Sequence, residues 1–169
     1  MARKRNERRL IELENLGPED FIFTNFSKDP DLNYGVRSFN IFIPDDMVPS
    51  LREEGWNVKP LEDRDTGEVE YILPIEVRFD KYPPDIYIFG SETKVRTKID
   101  EDCCGDLDSI VKNSLVSADI SISPSYRKDG SGMIKAYLDG LWIVYKERRA
   151  DVKFSKFINE QPEDEETPF

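Results

Sequence analysis

The chain has 169 residues, 38% apolar and 11% aromatic, enough to bury one core and too much for a wholly disordered protein. Acids outnumber bases 35 to 24, giving a net charge of -11. No apolar run approaches the roughly 18 residues of a membrane span, and the basic start at residues 1–5 leads into no apolar segment, so a soluble intracellular chain without a secretory signal is expected.

In chain order, residues 6–16 read as a short helix, with Leu10, Leu13 and Leu16 at three-residue spacing and Gly17-Pro18 as its stop. Residues 21–26 and 36–43 read as strands. Asp45 and Asp46 open a helical turn that reaches Glu54, with Gly55 after it. The strongest strand is 69–79, where Val69, Tyr71, Leu73, Ile75, Val77 and Phe79 share one parity. Residues 85–89 form another strand. Residues 93–99 follow, with Lys94, Arg96 and Lys98 alternating against Val95, Thr97 and Ile99. A helix over 105–113 precedes strands over 115–123 and 133–146, joined by a tight turn at Asp129-Gly130. Gly140 marks a bulge or kink in the last strand.

Several strands, one helix and a terminal hairpin predict a mainly β fold. The best match is a five-stranded OB-type Greek-key barrel with its helix between the third and fourth barrel strands, plus short extra helices. An ordinary β-sandwich is the competing arrangement. The chain divides into a basic arm or short helix (1–18), the OB domain (19–158) and a disordered acidic tail (159–169).

Histidine is absent and the two cysteines, Cys103 and Cys104, are adjacent. That removes His-based nucleophile pairs and four-ligand structural zinc, and it leaves two free thiols of structural role. No phosphate-binding glycine loop or nucleophile elbow occurs. An enzyme is disfavoured and no cofactor or metal is expected. Asp100, Glu101, Asp102, Asp106 and Asp108 sit by a helix start, where acids favour the helix dipole, rather than forming a two-metal nuclease site.

Single-stranded nucleic acid offers bare base faces and a phosphate chain. A protein meets these with rings and a cationic groove, each stacked base contributing roughly 1–3 kcal/mol. Arg78, Lys94, Arg96, Lys98, Arg127, Lys128 and Lys135 are candidates for the phosphates, together with Lys59. Trp56, Tyr126 and Tyr137 are candidates for the bases. Lys135 and Tyr137 share a parity, opposite to Ile134, Ala136 and Leu138. Local charge supports this despite the acidic total: residues 125–157 hold eight bases and four acids. The tail closes on Glu163, Asp164, Glu165, Glu166, Thr167, Pro168 and Phe169. An apolar ring beside a terminal carboxylate, reached through acids, fits a basic-rimmed pocket on a protein partner.

The tail is similar to the C-terminal tip of bacterial and phage single-stranded DNA-binding proteins. The body resembles OB-fold single-stranded DNA-binding proteins of tailed phages at Asn25-Phe26-Ser27, Gly35-Val36-Arg37-Ser38-Phe39, Glu54-Gly55-Trp56-Asn57-Val58-Lys59, Pro83-Pro84 and Lys135-Ala136-Tyr137-Leu138. The resemblance implies binding of single-stranded DNA without sequence preference, in the cytoplasm of an infected bacterium. It also implies recruitment of replication or recombination proteins through the tip. A homo-oligomer is compatible with it. The alternatives are an acidic OB-like adaptor or DNA mimic that binds no DNA, an RNA-binding OB protein and, more distantly, a metal nuclease.

Overall fold

Alternation of apolar and polar side chains builds strands with one buried face, and most of this chain follows that rule. The computed structural model describes residues 10–80, 82–126 and 133–148. Its strands are β1 (Ile11–Leu16), β2 (Phe21–Asn25), β3 (Ser38–Ile43), β4 (Lys59–Glu62), β5 (Val69–Glu76), β6 (Asp85–Gly90), β7 (Arg96–Lys98), β8 (Leu115–Tyr126) and β9 (Ile134–Tyr145). Helix α1 (Val48–Glu54) precedes β4, and α2 (Asp106–Asn113) precedes β8.

Among the described residues these nine strands form one mixed sheet, with main order β1-β8-β9-β5-β3-β2. β4 extends it beside β5, and the β6–β7 hairpin joins through β6 to β9. β5 and β6 both run parallel to β9, sharing one of its edges. The strands do not close into the predicted five-stranded barrel. The fold is mainly β with the expected helix ahead of the β8–β9 hairpin, but the sheet is open, because β1 and β2 at its two ends do not pair. One face carries a single apolar core that includes Phe39, Ile41, Leu73, Ile75, Ile120 and Leu141. No helix among the described residues is long and apolar enough to cross a membrane.

The helix predicted over 6–16 is replaced, in its second half, by β1. Ile11 and Leu13 pair with Ile122 and Ile120 of β8, and the register then shifts before Leu16 meets Ala118. Asn15 takes a left-handed φ of 58° in that shift, and its N–H donates to Asp119 at 3.0 Å. A bulge adds one residue to one strand, so two leucines three apart both pack on the core. The leucine spacing was that of a bulged strand, not of a helix.

The β2–β3 connection is organised by Asn25, which is fully buried. Its Nδ2 lies 2.9–3.1 Å from the carbonyls of Asp29, Leu32 and Val36, and its Oδ1 accepts from Asp29 N at 2.7 Å. The start of the same connection is tied to α2, where the Asp108 carboxylate accepts from Phe26 N at 2.8 Å and Ser27 N at 3.0 Å.

Candidate nucleic-acid interface

The sheet face turned away from the core brings together three of the predicted residues. In the first half of β9 the buried residues are Ile134, Ala136 and Leu138, so Lys135 and Tyr137 point outward. Parallel pairing sets Glu76 of β5 beside Tyr137, and Arg78 follows two residues later on the same parity. The Arg78 guanidinium lies 5.7 Å from the centre of the Tyr137 ring, and the Lys135 ammonium lies 5.8 Å from it. Arg78 also donates to the Tyr137 hydroxyl at 3.5 Å. β8 adds a polar flank, with Ser123 opposite Tyr137 and Ser125 opposite Lys135.

Both cations are ion-paired in the free protein. Lys135 contacts Glu76 at 2.6 Å, and Arg78 contacts Asp80 at 2.6 Å and Glu76 at 3.7 Å. The Asp80 hydrogen bond, then that to Tyr137, raise the pKa of Arg78 above its ordinary value, so this guanidinium is charged at every accessible pH. Arg78 and Lys135 are 48% and 38% exposed, so both remain open to a ligand.

A second group lies farther along the same face. The β8–β9 register skips Asp139, between Ser121–Gly140 and Ile122–Leu138, so the bulge falls beside the predicted Gly140. The bulge resets the parity and turns Trp142 outward, 39% exposed. Its indole lies over Gly140, where a Cβ would come within 2.6 Å of the ring. Trp142 pairs with Tyr87 of β6, and Tyr87 pairs with Lys98 of β7. Arg96 reaches diagonally over the Tyr87 ring, 5.1 Å from its centre. Glu147, after β9, accepts from the backbone of Glu92 and Thr93 at 2.8 Å and so fixes the β6–β7 turn that leads into the strand bearing these cations.

The remaining candidates fall elsewhere. Lys94 is not on a strand: it takes a left-handed φ of 61° in the β6–β7 turn, so it does not alternate with Arg96 and Lys98. Lys59 is exposed on β4, opposite Ile72 and therefore farther along β5. Trp56 is 3% exposed and offers no face to a base. Gly55 takes φ 103° after α1, with Gly55 N donating to Arg52 and Trp56 N to Leu51. That is a Schellman cap, whose second residue packs back on the helix, and Trp56 also bridges Ile134. Gly55 just past a helix, followed by a large apolar residue, was the signal that this ring turns inward. Arg127, Lys128 and the tail residues Glu163 to Phe169 lie outside the described residues, as does the side chain of Tyr126. Tyr87 and Trp142 were missed, because only the bulge gives Trp142 the parity of Tyr137.

The acids near α2 have separate structural partners. Asp100 accepts from Cys103 N, Glu101 meets Arg37 at 3.5 Å, and Asp108 holds the β2–β3 connection. Burial pushes the Cys104 thiol up to about 12, and the hydrogen bond with Asp100 raises that of Cys103. Thiolate is the reactive form, so folded protein at pH 8 is expected to react with a disulfide reagent many times more slowly than unfolded protein. A reaction at Cys104 as fast as in denaturant contradicts this burial.

No curated protein and no solved structure matches the chain. A family model described as "Putative phage ssDNA-binding domain" matches residues 4–166. That span covers the whole sheet and both groups of rings and cations, and the chain therefore belongs to this family of phage single-stranded DNA-binding domains.

Proposed function

We propose that this is a non-catalytic protein that coats single-stranded DNA, without strong sequence preference, during phage replication or recombination in the host cytoplasm. The strand runs along the outer face of β9. Arg78, Lys135, Arg96 and Lys98 track phosphates, and Tyr137 and Trp142 stack on bases. The observation that carries this is the convergence of Arg78, Lys135 and Tyr137, distant in sequence, on one exposed patch. The acidic tip from Glu163 to Phe169 recruits replication or recombination proteins.

We also read the sheet as an OB-type barrel with an interrupted first strand. β1 and β2, at opposite ends of the pairing path, are separated in sequence by Gly17 and a single 3-10 turn, Pro18–Asp20. The parallel pairing of β9 with β5 and β6, and the helix before β8, support the same reading.

The ion pairs of Arg78 and Lys135 are also what an acidic adaptor or DNA mimic would display. Arg96 and Lys98 weigh against that, since neither forms an ion pair with another described residue, and so does the family.

Titration with oligo(dT) tests the reading. Trp142 is the exposed tryptophan and Trp56 is buried, so quenching on binding reports the proposed face. A log-log salt slope near -0.7 per phosphate contacted predicts a slope of about -3 for four cations. No quenching and no anisotropy change at low salt would overturn it. Deletion of residues 160–169 is expected to keep or raise oligo(dT) affinity while removing capture of a replication partner. Loss of DNA binding on that deletion contradicts a tail separate from the DNA-binding body.

A further inference from the structure

We infer that Tyr34, in the connection between β2 and β3, is a further base-stacking ring on the path of the single strand. This rests on the reading above and extends its path across the sheet. Three consecutive residues, Asn33, Tyr34 and Gly35, hold left-handed φ values of 47°, 58° and 76°. That conformation is unfavourable for a tyrosine and persists only where surroundings impose it. The surroundings here are the buried Asn25, which gathers the carbonyls of Asp29, Leu32 and Val36, and Asn33, whose Nδ2 donates to Phe23 O at 2.7 Å and Ser38 Oγ at 3.0 Å. The product of all this constraint is a ring that is 102% exposed and packs on nothing. A loop held rigid so that one aromatic side chain stands free is preorganised, which lowers the ordering cost of a ligand.

The position selects the ligand. Ser38, which anchors Asn33, pairs with Glu76, and Glu76 pairs with Tyr137. Strands lie about 4.8 Å apart, so the anchor is roughly 10 Å across the sheet from Tyr137, with Arg78 beside that row. The loop itself carries Lys28 but also Asp29 and Asp31. Its contribution is therefore a ring face rather than phosphate neutralisation, and a base fits that chemistry.

The test compares Tyr34→Ala, Tyr34→Phe and Tyr137→Ala in the full chain, by anisotropy of labelled oligo(dT) over a salt series. Tyr34→Ala is expected to weaken binding by about 5- to 100-fold, with the salt slope unchanged and the thermal midpoint preserved, because the ring contributes no packing. Tyr34→Phe is expected to stay within about twofold of the parent, since stacking needs the ring and not the hydroxyl. If Tyr34→Ala binds as the parent does while Tyr137→Ala is weakened, Tyr34 is off the path and the main reading stands. If the parent chain itself binds no oligo(dT), both fail. A Tyr34→Trp variant adds a direct reading: extra fluorescence quenched by oligo(dT) supports the contact, and extra fluorescence unchanged at saturation overturns it.

Discussion

Replacing Asn25 by Ala is expected to cost about 3 kcal/mol or more of folding stability, the largest loss anticipated for any one polar side chain here. Asn25 is fully buried, and its amide serves the carbonyls of Asp29, Leu32 and Val36 while its oxygen serves Asp29 N. Alanine removes both functions at once. Each buried polar group left without a partner costs roughly 1–3 kcal/mol, and several lose theirs together. The backbone they leave unsupported already includes three left-handed residues in sequence. Asn25→Asp keeps the acceptor for Asp29 N but turns a carboxylate oxygen toward three carbonyl oxygens, so it is expected to be no better than Ala at neutral pH. Urea denaturation measures both. For a chain of this size a 3 kcal/mol loss lowers the thermal midpoint by roughly 6–12 °C. A loss below about 1 kcal/mol would mean that water or a rearranged loop replaces the amide, and that the loop is not built around it.

The difference between Asn25 and β5 explains what the sequence made legible. β5 was readable because Tyr71, Leu73 and Ile75 alternate toward the core, so a period of two appears in the chain even though Val69 at its start is exposed and Ile72 is buried on the other parity. The turn at Gly55 and the helix before β8 were readable for the same reason, since local preference and final structure agree there. β1 failed because a bulge gave Leu13 and Leu16 a helical spacing while leaving both against the core. β4 was missed because Lys59, Pro60, Leu61 and Glu62 carry almost no apolar signal and are held at a sheet edge by pairing with β5. Within the site, Lys135 and Tyr137 were found by parity alone. Trp142 was hidden by the bulge at Asp139, and Tyr34 by a loop whose conformation depends on hydrogen bonds from Asn25 and Asn33. Trp56 misled because an aromatic residue among charged neighbours looks exposed until its helix cap is recognised. Patterns of period two and a glycine just past a helix survive in sequence; contacts set by bulges and buried amides do not.

Substitutions around Glu76 are expected to move DNA affinity in opposite directions. Arg78→Ala with Lys135→Ala removes two phosphate contacts. The log-log salt slope should become shallower by about 1.4, and affinity at low salt should fall by roughly 1–3 kcal/mol, about 5- to 150-fold. Glu76→Gln should instead strengthen binding. Glu76 sits between the two cations, 2.6 Å from Lys135 and 3.7 Å from Arg78, and competes with phosphate for both. Exposed ion pairs contribute only about 0–1 kcal/mol, so the fold loses little when the carboxylate becomes an amide. The ligand gains by the removal of a negative charge from its path, on the order of two- to fivefold by the same scale. A structural role for the cluster predicts another pattern: all three substitutions would lower the thermal midpoint, and none would change the salt slope. A DNA mimic predicts a third, in which the double alanine variant leaves oligo(dT) binding absent as before and Glu76→Gln weakens capture of a basic protein partner. Parallel anisotropy and melting measurements on the parent, the double alanine variant and Glu76→Gln therefore separate the three accounts, because only a phosphate-binding patch makes the salt slope and affinity fall with the cations and affinity rise with loss of the acid.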